Sequence, residues 1–146
     1  MKKTLKWLLA FGLHQTAIVA IAQNNLPPAA TADIFSKMYP AATNVDWKEK
    51  TNNFTAFFNL NGSKCEAKFA KGGGWLNTEE TIALDSLPRR VQDAYKASKY
   101  ADWKETSAYS ILSSDSTIQY HLVVFSVDAG RKILFFSLDG KLLADR

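Results

Sequence analysis

Asp46-Trp47-Lys48-Glu49 returns 56 residues later as Asp102-Trp103-Lys104-Glu105, and the same offset places Phe35 on Val91 and Tyr39 on Tyr95. The match thus runs from a strand start back into the helix-like segment before it. Self-similarity at a fixed spacing signals one supersecondary unit copied in tandem, each copy completing the other's core. Other pairs keep the order and shift the offset: Leu26-Pro27 matches Leu87-Pro88 at 61, Gly74 matches Gly140 at 66, and Lys64 matches Lys132 at 68. Insertions in both halves account for the drift. The repeats span about residues 26–80 and 86–146.

Each copy reads as a helix followed by four strands. In the first, Ile34, Phe35, Met38 and Tyr39 share one face of a helix predicted over residues 28–39, and Pro40 ends it. Strands are predicted over 44–49, 54–60, 64–69 and 75–78, with Asn61-Gly62 as a hairpin turn. In the second, Ser86 is the expected N-cap, Pro88 falls in the first turn, and Val91, Ala94 and Tyr95 form the apolar stripe. Strands follow over 103–113, 116–127, 131–138 and 141–144, punctuated by Asp115, Ala129-Gly130 and Asp139-Gly140. The predicted class is α+β: two tandem helix-plus-four-strand repeats forming one antiparallel sheet, with both helices packed on one face.

The amino terminus reads as an export signal. Lys2, Lys3 and Lys6 precede an apolar stretch, and Ala20-Ile21-Ala22 supplies the small-x-small pattern of a cleavage site, making residues 1–22 a signal peptide. The stretch is too short and too interrupted to span a bilayer, so no stable membrane span is expected after cleavage. Gln23, not Cys, stands directly after the cleavage site, which argues against a lipoprotein. Residues 23–146 form a single domain, and the expected location is periplasmic or secreted. Of 18 Lys and Arg residues three leave with the signal, so 15 remain against 14 Asp and Glu. The basic pI of about 9.2 therefore belongs to the precursor, and nucleic acid is not an expected partner.

The chemical inventory points away from catalysis. Cys65 is the one cysteine, and it alternates with Ala67 and Phe69 against Lys64, Glu66 and Lys68, which places it on the buried side of a half-exposed strand. His121 is the one histidine after residue 22, so a two-histidine metal site is excluded. Asp46 and Asp102 read as solvent-facing strand starts. Lys71-Gly72-Gly73-Gly74 lacks the Gly-Lys-Ser/Thr of a phosphate loop and is followed by Trp75-Leu76, so it reads as a hairpin. The sequons at Asn53 and Asn61 fall on a strand start and a tight turn. No enzyme activity, cofactor or metal is expected.

The two halves differ on the sheet faces. In the first, Lys64, Glu66 and Lys68 line one side of a strand, as on a sheet wet on one face. In the second, Tyr120, Leu122 and Val124 alternate with His121, Val123, Phe125 and Val127, and Ile133-Leu134-Phe135-Phe136 is apolar throughout. Both faces of those strands need cover. Helices supply one cover; a partner, a ligand or a second copy must supply the other.

Taken in order, Tyr39-Pro40, Asp46-Trp47, the aromatic strand 54–60, Asn61-Gly62 and Gly74-Trp75-Leu76, then Leu87-Pro88, Val91, Tyr120 and Asp139-Gly140-Lys141-Leu142, resemble the PepSY-like family of exported bacterial proteins, also described as beta-lactamase-inhibitor-protein-like. The resemblance implies two helix-plus-four-strand units in one antiparallel sheet, with the face away from the helices curved and available. Inhibitors of this architecture hold a protein partner on that face. The second repeat departs from the pattern: if Tyr100 is taken as the counterpart of the Tyr-Pro tyrosine, Ala101 stands where proline is expected, and residues 106–116 are longer than their counterpart.

The expected function is an exported, non-enzymatic binding or inhibitor-like module that holds a protein or peptide partner of the cell envelope on an open sheet face. The alternative is a homodimeric envelope component without ligand. Trp47, Phe57, Trp75, Trp103, Phe125 and Phe136 are the candidate partner-binding residues, because large rigid aromatics dominate interface energetics.

Overall fold

The structure, a computed structural model, describes residues 26–146; the predicted signal peptide lies outside them. A helix α1 (Ala29–Met38) leads into strands β1 (Thr43–Glu49), β2 (Asn53–Leu60), β3 (Ser63–Ala70) and β4 (Trp75–Ile82). After a 3-10 turn at Leu84–Ser86 come α2 (Arg89–Lys96), β5 (Lys104–Ser113), β6 (Ile118–Ser126), β7 (Gly130–Ser137) and β8 (Leu142–Asp145). The eight strands pair in chain order as one antiparallel sheet.

Local chemistry sets these boundaries. Asn61 and Gly62 both take positive φ, 51° and 88°, which is what a two-residue hairpin following the right-handed strand twist requires. Pro88, not Ser86, precedes the first residue of α2, and no side chain caps that helix. Ser86 belongs to the 3-10 turn, because Leu87 must swing inward to the core before the helix begins. β4 extends four residues past the expected Thr78: Glu79, Glu80, Thr81 and Ile82 pair with Ile111, Ser110, Tyr109 and Ala108. That pairing joins the two halves into one sheet, and no strand propensity of two adjacent glutamates announces it.

Two apolar clusters lie on one face of the sheet. Phe35 of α1 meets Phe58, Phe69 and Trp47 with ring centroids 5.0, 6.4 and 5.3 Å away, over Ala56, Cys65 and Ala67. Val91 and Tyr95 of α2 meet Leu122, Val124, Leu134 and Phe136 over Ala108. Each helix abuts a glycine of positive φ in its own half: a side chain on Gly73 would meet the Thr31 hydroxyl, and one on Gly140 would meet the backbone of Arg90. No helix of the described residues is long and apolar enough to cross a membrane.

Candidate functional site

The face opposite the two clusters follows from the register, because side chains alternate along every strand. One row runs Asp46, Phe57, Glu66, Glu79, Ile111, Gln119, Ser137 across β1 to β7. Beside it Thr81, Tyr109, His121, Phe135 and Ala144 cross β4 to β8. Further along, Ser107, Val123 and Ile133 align, with Arg146 bonded backbone to backbone with Ile133. The last row is Lys104, Phe125 and Arg131.

This face is divided chemically. Over β2 to β4 it is polar, and the Lys68 ammonium sits 3.2 Å from Glu66 while Lys48 lies 5.0 Å from the Phe57 ring centre. A depression of about 250 Å³ lies here, bordered by Phe57, Lys64, Glu66, Glu79 and Tyr109 among others. Glu66 and Glu79 are direct cross-strand neighbours, and burial, reinforced by Glu66, raises the Glu79 carboxyl above the ordinary range. Over β5 to β7 it carries an apolar group, Ile111, Val123, Phe125, Ile133 and Phe135, set among Ser107, Gln119, Ser137, Lys104 and Arg131. Ile111 is 8% exposed and Val123 only 3%, whereas Phe125 is 43% exposed.

His121 stands at the seam. Its ring meets Phe135 edge-on at 4.4 Å, and its Nδ1 lies 3.7 Å from Glu79. Burial pushes the imidazole down to about 4, helped by the Lys68 ammonium. At neutral pH it is therefore uncharged, and the contact with Glu79, too long for a hydrogen bond, is not an ion pair. Cys65 lies on the other face, in the first cluster, and burial raises its thiol to about 11. At neutral pH it is a thiol, not the thiolate a nucleophile needs.

Of the six aromatics singled out in the sequence, two stand on this face: Phe57 and Phe125. The other four belong to the opposite, helix-bearing side. Trp47 pairs with Ala56 and packs on Phe35 and Phe69. Trp75 packs on the same cluster and donates its indole N–H to the Thr78 hydroxyl at 2.9 Å. Trp103 stands edge-on to Tyr100, centroids 5.1 Å apart, against the second cluster. Phe136 is wholly buried there. Aromatic size alone misassigned them, since a strand start beside a helix is as good a place for core packing as for contact. Val127, read as continuing the Val123 and Phe125 side, lies in the turn after β6 and is 91% exposed. Sequence reading set Ile133 and Phe135 in an apolar run without giving them a face, and it missed Lys104, Arg131 and Arg146. Only pairing with β6 could have placed Ile133 and Phe135, because an unbroken apolar run carries no alternation.

No family model and no curated protein matches the chain. Solved structures do. A DUF2874 family protein from Bacteroides ovatus superposes with a TM-score of 0.77 at 27% identity, over 83% of this chain and 87% of that one. A BLIP-like protein from Bacteroides fragilis gives 0.75 at 27% identity, over 83% and 86%. A DUF2874 family protein from Bacteroides uniformis gives 0.79 at 21% identity, over 83% and 89%, a level that speaks to the fold alone. The chain thus has a BLIP-like fold: an eight-stranded antiparallel sheet with two helices.

Proposed function

We propose that this chain is an exported, non-enzymatic binding module whose working surface is the sheet face opposite the two apolar clusters. One observation carries the reading. β6 sends Leu122 and Val124 into the second cluster and, from alternate positions, sends Val123 and Phe125 to the other face, where Phe125 remains 43% exposed. The buried side chains Phe35, Val91 and Tyr95 of the two helices all go to the cluster side. An apolar strip maintained on the remaining face is the usual mark of an interaction site. Likeness to a BLIP-like protein is in keeping with a binding module, while the choice of face rests on the register alone. The neutral His121, the protonated Cys65 and the lack of any group of three metal-ligating side chains among the described residues favour binding over catalysis.

The fold is best understood as a duplication with the helices covering a single sheet face. Phe35, Tyr39 and Trp47 in the first cluster answer to Val91, Tyr95 and Trp103 in the second, each pair 56 residues apart. Ala56 and Phe58 answer to Leu122 and Val124, and Ala67 and Phe69 to Leu134 and Phe136. The glycine equivalent to Gly140 is Gly73 and not Gly74, because Gly73 and Gly140 share positive φ and each abuts its own helix. Export to the periplasm or beyond remains the expected destination, on the strength of the sequence at residues 1–22.

Placing p-benzoylphenylalanine at position 125 and irradiating cells tests the surface. The reading expects discrete adducts from position 125 and none from position 89, on the exposed side of α2. An adduct of twice the chain mass would identify a second copy as occupant, the homodimeric alternative; no adduct from position 125 would count against the face.

A further inference from the structure

Phe125 stands between two cations. Its direct cross-strand neighbours are Lys104 on β5 and Arg131 on β7, and one row further on Ile133 is bonded to Arg146. The Arg146 guanidinium lies over the Phe135 ring, 5.3 Å from its centre, where its charge meets the ring's electron-rich face. Among the described residues, none of these three cations lies within 4 Å of a carboxylate, although Asp128 stands in the adjoining turn.

The charge of the face differs from that of the whole. It also carries Lys48, Lys64 and Lys68, against Asp46, Glu66 and Glu79. Its side chains therefore hold an excess of three positive charges, while residues 26–146 hold 15 Lys and Arg against 14 Asp and Glu, an excess of one. Positive charge is concentrated on this side and the remaining surface is net negative. On β1 and β3 two of the cations are offset by their neighbours, Lys48 by Asp46 at 3.9 Å and Lys68 by Glu66 at 3.2 Å. Of the four cations of this face without a carboxylate of the described residues within 4 Å, Lys64 stands on β3 and the other three, Lys104, Arg131 and Arg146, border the apolar strip.

We propose that Phe125, Ile133 and Phe135, bordered by Lys104, Arg131 and Arg146, form a docking strip for an acidic polypeptide segment that carries an aromatic or branched aliphatic anchor beside its carboxylates. The proposal rests on the binding-face reading above and gives the occupant a chemistry. The apolar strip provides the area that an anchor buries. The bordering cations set orientation and select against basic partners, since like charges brought together across an interface are strongly disfavoured. A second copy of this chain would bring the same three cations onto themselves if it docked face to face, so the charge pattern opposes a symmetric dimer through this strip.

The test uses residues 23–146, immobilised and panned against a phage-displayed library of random 12-residue peptides. Enriched peptides should be net acidic with Phe, Trp, Leu or Ile next to Asp or Glu. The most enriched one, made synthetically, should bind the Lys104→Glu, Arg131→Glu double variant on the order of tenfold or more weakly than wild type, and should bind wild type more weakly as salt is raised. Both substituted positions are exposed, so circular dichroism of the variant should match wild type. Enrichment of basic or uncharged peptides that Phe125→Ser nonetheless abolishes would overturn the acidic partner while leaving the face intact. Peptides indifferent to every substitution on the strip, or no enrichment over a blank support, would overturn the proposal together with the face. Dimerisation of wild type that Phe125→Ser abolishes would name a second copy as occupant and overturn it too.

Discussion

Gly140 has no side chain because the peptide carbonyl of Arg90 occupies the space a Cβ would need: the carbonyl carbon would lie 2.8 Å away and its oxygen closer still. The turn between β7 and β8 thereby presses on the first turn of α2, with φ of Gly140 at 87°. Gly140→Ala should cost roughly 2–4 kcal/mol, because it adds a backbone clash to a left-handed conformation. Gly62 has nearly the same φ but open space around it, so Gly62→Ala should cost only about 1–2 kcal/mol. Denaturant unfolding of the two variants measures the difference, and equal losses would show that the helix contact does not matter.

Cys65 should behave as a structural thiol. Its pKa of about 11 is raised by burial, so a thiol reagent should leave native protein unlabelled at pH 8 and react on unfolding. The folded state holds the proton more tightly than the unfolded one, so this group's contribution is complete below pH 9 and is lost as pH rises toward about 11. Cys65→Ser should cost on the order of 1–3 kcal/mol by burying a hydroxyl and leave binding unchanged.

His121 carries the opposite linkage. Burial, with Lys68, holds the folded pKa at about 4 against 6.5 for the free side chain. The unfolded chain takes up the proton first, so the stability is complete above pH 6.5 and falls as pH drops toward about 4. Histidine resonances of residues 23–146 should titrate near 4, and Lys68→Met should move that midpoint upward. A native midpoint near 6.5 would mean that the seam between β4 and β6 is open to water.

Much of this fold was legible in local pattern. The α1 boundaries, the Asn61-Gly62 hairpin and seven of the eight strands fall within two residues of what periodicity and turn chemistry predict. β4 was foreshortened because Glu79-Glu80 reads as a loop until β5 pairs with it. The candidate surface was less legible. Phe125 follows from alternation in β6, but Lys104 and Arg131 reach it only through cross-strand register, a long-range relation that no local window contains. Trp47, Trp75 and Trp103 were drawn to the wrong side for the same reason: each sits near a strand start, and the face is settled by partners such as Ala56 and Phe69.

Phe35 should be the most costly residue to truncate in the first half. It is packed between α1 and the sheet against Trp47, Phe58 and Phe69, so Phe35→Ala should destabilise by about 3–5 kcal/mol. A loss under 1 kcal/mol, read by chemical unfolding, would mean that α1 contributes little to the core.

The binding-face account stands or falls on Phe125→Lys. Residues 23–146, wild type and variant, are immobilised and challenged with the same cell-envelope extract, with circular dichroism recorded on both. Phe125 is 43% exposed, outside both clusters and already between two cations, so the account predicts an unchanged spectrum together with loss of whatever wild type captures. A variant that captures the same proteins as wild type, or one that fails to fold, would contradict it.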